Sequence, residues 1–176
     1  GRMSRRVQLA PGPFSADQIR SKDPYELSNG HAILCLPTGR RGSTRNLVGG
    51  SALETDPDVV AAGVDLGVST EKGMLRAPDV GVGPIEDAPG WAPEAPPLAA
   101  VIADQGQDEG ELQAKIAELL AAGTQHIWVV RLGGDQRVEV YTPARRRGAP
   151  NTMRVFGAGD VLHAEGILRN PVPVAV

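Results

Sequence analysis

Between Leu98 and Ala103 the chain reads LAAVIA, an apolar run with no charged or polar side chain in it. A strand with one solvated face alternates apolar and polar residues, so an unbroken short run of this kind reads as a strand covered on both faces. The fold must therefore place material on either side of a sheet. The next residues can supply it. Asp108 can cap a helix over 108–122, and Glu111, three residues on, can close a capping box. Leu112, Ile116, Leu119 and Leu120 fall on one stripe at helical spacing. Gly123 takes the position just past the helix end, where a left-handed residue is favoured. HIWVVRL (126–132) is then another strand, and Gly133-Gly134-Asp135 turns the chain into RVEVYT (137–142).

The flanks supply further strands. Asn29-Gly30 lies between two apolar-alternating runs, and both residues tolerate positive φ, so strands are expected at 25–28 and 31–36. Residues 64–69 and 74–83 flank Glu71-Lys72-Gly73, a second expected hairpin. MRVF and VLHAEGIL, near the C-terminus, read as a last strand pair. Ser15 and Gln18 are spaced for a capping box on a short helix over 15–21. A broken helical stretch is expected over 43–63, interrupted at Gly49-Gly50 and Pro57. Residues 1–13 read as a disordered or clinging arm, a flexible N-terminal segment ahead of a single domain over 14–176. Residues 84–96 are a Pro-rich, acidic surface loop. This order of elements predicts an α/β (α+β) domain around one mixed sheet.

Composition narrows the function. Aromatics are 3% of the chain, so the core rests on Val, Leu, Ile and Ala. A net charge of -3 argues against a broad non-specific DNA-binding surface, which needs clustered Lys and Arg to displace counterions. A small local cleft is still compatible with it. The one cysteine, Cys35, cannot form an internal disulfide, so a reducing cytoplasm is the expected setting. No apolar run approaches the ~20 residues of a membrane span, and no signal-peptide pattern is present. His31, His126 and His163 lack metal-site spacing. Cys35, in an apolar strand, reads as inert core. Arg145-Arg146-Arg147 reads as a solvated basic loop.

Four stretches, YELSNG (25–30), RAPDVGV (76–82), PPLAAVIAD (96–104) and ELQAKIAELLAAGTQHIWVV (111–130), resemble the restriction-endonuclease-like family of bacterial proteins called Uma-two, a distant branch of the PD-(D/E)XK nucleases. The resemblance runs over roughly residues 23–175 and rests on the order and spacing of its motifs. Tyr25-Glu26-Leu27 matches the family's tyrosine-glutamate-leucine motif, Pro78-Asp79 its proline-aspartate motif, Lys115 its helix lysine and Gly123 its glycine before the next strand. Two positions depart. Val101 stands where the family has a strand glutamate, and Arg131 falls near the place of an aspartate on the following strand.

The resemblance implies a restriction endonuclease-like fold, DNA as substrate and Mg²⁺ or Mn²⁺ as cofactor. Metal-assisted phosphodiester cleavage needs carboxylates to hold the ion and a lysine to orient water or stabilise charge. Asp79 is then the metal ligand, with Lys115, Glu26 and Glu111 as catalytic candidates. Glu111 lies one helical turn before Lys115 and is expected further round toward solvent, with a capping role available. Asp104 lies three positions beyond Val101 and so faces the other way in a regular strand. Simpler roles exist for each residue: an edge aspartate at position 79, a snorkelling lysine at 115, a surface glutamate at 26. The resemblance leaves two functions open. One is a degenerate member with weak or no metal-dependent cleavage, surviving as a binding or assembly module. The other is an active Mg²⁺-dependent nuclease using a migrated acid such as Glu111. A homodimer is compatible with either.

Overall fold

The computed structural model describes residues 2–5, 12–37, 62–64, 66–84, 90–104, 106–134 and 137–174. Its strands are β1 (Arg2–Arg5), β2 (Tyr25–Ser28), β3 (His31–Pro37), β4 (Ala62–Val64), β5 (Val80–Val82), β6 (Leu98–Ala103), β7 (His126–Arg131), β8 (Arg137–Thr142), β9 (Thr152–Gly157), β10 (Val161–Leu162) and β11 (Val172–Pro173). Helix α1 (Glu109–Ala121) joins β6 to β7. The main sheet has six strands in the order β4-β5-β6-β7-β8-β9. β6 and β7 are parallel and the other neighbours antiparallel, so the sheet is mixed, as expected. A three-stranded sheet β1-β3-β2 and a two-stranded sheet β10-β11 accompany it.

The apolar run LAAVIA is buried throughout, and its side chains divide by alternation. Leu98 and Ala100 pack with Val80, Val82, Trp128 and Leu162 on one face. Ala99, Val101 and Ala103 pack on the other with Leu112, Ile116 and Leu119 of α1. The helix starts as its sequence requires: Asp108 Oδ1 accepts from the Glu111 N–H at 2.9 Å. Only that half of the capping box forms, because the Glu111 side chain turns elsewhere.

Both hairpins are present. Asn29 and Gly30 sit at φ 49° and 78°, the twist that a two-residue hairpin turn needs. A Cβ at Gly30 would also stand 2.7 Å from Pro13 Cβ, so no larger residue fits there. In the second hairpin the Val68–Arg76 bridge continues the β4–β5 register past the turn at 71–74. The returning chain then meets two sheets. Leu75 bridges Leu27 of β2, whereas β5 pairs with β6. Residues 75–79 thus pass from the small sheet to the large one.

Other expectations need correction. The two C-terminal runs do not pair with each other: β9 extends the main sheet beside β8, and β10 pairs with β11. The Ala158–Gly159 turn, closed by the Asp160 N–H on the Gly157 carbonyl at 3.0 Å, takes the chain away from β9, so the next strand finds its partner elsewhere. The helix over 15–21 is a single 3-10 turn, Ala16–Gln18, in which Gln18 Oε1 does accept the Ser15 N–H at 2.8 Å. Arg2–Arg5 of the arm cling to β3 as an antiparallel strand. The helical reading of 43–63 lies outside the described residues, except for 62–64, which form β4. Among the described residues no helix is long and apolar enough to cross a membrane.

Candidate active site

Asp79 stands immediately before β5. The pairs Val80–Ala100 and Gly81–Ala99 set the register, and one step further back Asp79 lies opposite Val101. Facing residues of an antiparallel pair share a face, so Asp79 and Val101 both turn toward α1. Asp79 Oδ2 accepts the Ile102 backbone N–H at 2.6 Å, which locks the carboxylate across β6. A glutamate at position 101 would have stood beside it. Val101 instead is 2% exposed and joins the apolar packing under the helix.

Lys115 reaches this place from α1. Its ammonium donates to the Ala77 carbonyl at 2.8 Å and to Glu26 Oε2 at 3.1 Å. It is no snorkelling lysine: it is 2% exposed. Glu26 comes from β2 and is fully buried, which corrects its reading as a surface residue. The Cys35 thiol, across the β2–β3 hairpin, donates to the same Glu26 oxygen at 3.1 Å, so this core cysteine is also tied to a charge. Arg76 is also fully buried; its guanidinium binds Glu111, lies 3.7 Å from Glu26 Oε1 and donates to Glu118 Oε2 at 2.6 Å. Glu118 Oε2 accepts from the Ser28 hydroxyl as well, at 2.9 Å. Glu111 is therefore neither solvent-facing nor a cap; at 2% exposure it is the buried counter-ion of Arg76.

The electrostatics follow from this packing. Burial alone would raise the Glu26 carboxyl, but the Lys115 and Arg76 charges and the thiol hydrogen bond outweigh it and hold it below the usual carboxylate range. Burial would lower Lys115, and the facing Glu26 and Asp79 carboxylates raise it instead. Glu111 goes the other way: burial dominates the attraction of Arg76 and pushes its carboxyl up. The inner cluster sets three carboxylates, Glu26, Asp79 and Glu111, against two cations, Arg76 and Lys115.

The structure thus brings together all four residues singled out from the sequence and adds Arg76, Glu118 and Cys35. Two of these additions had a signal. Glu111, Lys115 and Glu118 fall at i, i+4 and i+7, one stripe of the helix. Arg76 interrupts the otherwise uncharged stretch from Met74 to Pro78. Cys35 had none, because its partner is chosen by the hairpin register.

A family model described as "Putative restriction endonuclease", Uma2, matches residues 14–172. The chain belongs to the Uma2 family. A crystal structure of a protein described as "a putative nuclease belonging to DUF820", from Anabaena variabilis ATCC 29413, superposes with a TM-score of 0.73 over 92% of this chain and 96% of that one, at 20% identity. The architecture of this Uma2 chain is accordingly the restriction endonuclease-like fold, in its α+β form. No curated protein matches the chain significantly.

The donor set does not suit the divalent ion of such nucleases. Among the described residues no three His, Cys, Asp or Glu side chains are grouped to hold a metal. Glu26 Oε1 and Glu111 Oε2 are buried without a hydrogen-bond partner, and both carboxylates flank the Arg76 guanidinium. Arg131, near the family's second aspartate position, is clamped between Glu109 and Glu139.

Proposed function

We infer that this protein is a restriction endonuclease-like family member with a degenerate PD-(D/E)XK site, giving weak or no metal-dependent DNA cleavage. The observation that carries the reading is the burial of the whole constellation. Glu26, Arg76, Asp79, Glu111 and Lys115 are each at most 2% exposed, and Val101, where the family resemblance puts a strand acid, is 2% exposed as well. A nuclease must bring metal, water and a phosphodiester to its carboxylates. Here each charged group has a protein neighbour: Asp79 accepts a backbone amide, Lys115 donates to a carbonyl and to Glu26, and Glu111 pairs with Arg76, while Glu26 Oε1 and Glu111 Oε2 lack a hydrogen-bond partner. The site acts as an internal strut that ties α1, the β2–β3 hairpin and the strand crossing at 75–79 together. In this reading the protein works in the cytoplasm as a binding or assembly module, with DNA as the ligand class the family suggests.

Two measurements test it. Purified protein incubated with plasmid and single-stranded DNA in Mg²⁺ or Mn²⁺ should give no cleavage above background. Clear cleavage that disappears in Asp79→Ala would overturn the reading and favour an active enzyme using Glu111 as a migrated acid. Restoring the acid with Val101→Glu should raise Mn²⁺ affinity in titration calorimetry, because the new carboxylate would stand beside Asp79. An unchanged affinity would mean that Val101 is not the position of the lost ligand.

A further inference from the structure

β9 closes one side of the main sheet, and among the described residues no strand pairs with its outer edge. Its residues Thr152, Met153, Arg154 and Val155 are all exposed, on both faces of the sheet. Met153 and Val155 are 47% and 57% exposed, and with Val161 they make up the exposed large hydrophobics of the described residues. They face the side where α1 lies, but α1 covers β6 and β7 and leaves this end of the sheet bare. The Asp160 turn takes up the Gly157 N–H and carbonyl at the end of β9; an edge strand with exposed apolar side chains is what soluble proteins normally disguise with lysines, prolines or bulges. β9 has no lysine, proline or bulge, and its one charged side chain, Arg154, lies beside the Phe156 ring.

We propose that the β9 edge is a homodimer surface, on which a second copy of this chain adds its own β9 antiparallel across a two-fold axis at Val155. The strand is self-complementary in that register. Val155 meets the partner's Val155 on the apolar face. Arg154 meets the partner's Phe156 on the other face, repeating a contact already made within one chain, where the Arg154 guanidinium lies 5.5 Å from the Phe156 ring centre. Shifting the axis to Arg154 would set two arginines opposite each other, which costs stability.

Charge at the ends agrees. The exposed Arg145-Arg146-Arg147 loop precedes the start of β9, and exposed Asp160 follows its end. Antiparallel pairing brings each basic loop beside the partner's acidic turn. Carried on along the strand, the register sets Pro150 opposite Asp160. A six-residue strand pair with these flanks is smaller than the ~20–30 residues a side of a standard interface, so the dimer should be concentration-dependent. This inference is independent of whether the buried site cleaves DNA.

Sedimentation equilibrium over a concentration series tests it, with cysteine cross-linking to test the register. The wild-type mass should rise from one chain toward two with concentration, and fall again as salt screens the basic loop. Val155→Lys should weaken association by at least about tenfold, because it sets like charges face to face, with an unchanged melting curve at concentrations where the wild type is monomeric. Val155→Cys should oxidise to a covalent dimer, since facing Cα atoms at ~5 Å suit a disulfide. Met153→Cys should not, because its partner copy lies four residues along, at ~13 Å. A monomer at every concentration, a dimer indifferent to Val155→Lys, or equal cross-linking by the two cysteines would overturn the proposal.

Discussion

Lys115 shows how much a single side chain depends on its surroundings. In sequence it stands about 80° from the centre of an apolar stripe at ~100° per residue, a position equally suited to a solvated lysine. In the fold it is buried between Glu26 and the Ala77 carbonyl. Removing one member of a buried pair strands the other, at a cost of roughly 3–5 kcal/mol. Lys115→Met should therefore destabilise the protein by about that amount in urea denaturation, and the double variant Glu26→Gln/Lys115→Met by less than the sum of the two singles. Glu111 gives a pH signature. Its folded carboxyl lies above the unfolded value, so the folded state binds the extra proton. The contribution is full below the unfolded pKa and is lost as pH rises through the folded one. Subtracting the stability–pH curve of Glu111→Gln from that of wild type should isolate a term that declines from acid toward neutral pH. A flat difference would show that Glu111 is not strained by burial.

Among the elements, α1 was the most legible, because cap, stripe and terminal glycine all point the same way. Its observed span, Glu109–Ala121, departs little from the expected 108–122. Asp108 carries the N-terminal cap without help from Glu111, so Asp108→Ala should cost about 1 kcal/mol, measured as a lowered urea midpoint with an unchanged slope. The β2–β3 hairpin was equally clear, since Asn29-Gly30 fits a primed turn and little else. The final strands formed where the sequence put them, but their partners were not legible. Short apolar runs say that a strand forms but not which edge it joins, and β9 found its partner in β8. The strand next in sequence went elsewhere.

In the whole molecule, local pattern and long-range packing divide the outcome between them. The run LAAVIA, the capped amphipathic helix and HIWVVRL were enough to require a doubly covered strand, then a helix, then a second strand, because hydrophobic period and capping chemistry are local. The motif residues Glu26, Asp79 and Lys115, the valine at 101 and the family resemblance were equally visible in the amino-acid order. What those residues became was settled by tertiary packing. Burial and partner choice are set by elements distant in the chain: the crossing at 75–79 carries Arg76 into the cluster, the hairpin register aims Cys35 at Glu26, and β6 holds Asp79 through the Ile102 amide. A charge in a sequence has no dielectric of its own. The fold gives it one, and here turns a set of nuclease-like residues into a closed ionic core.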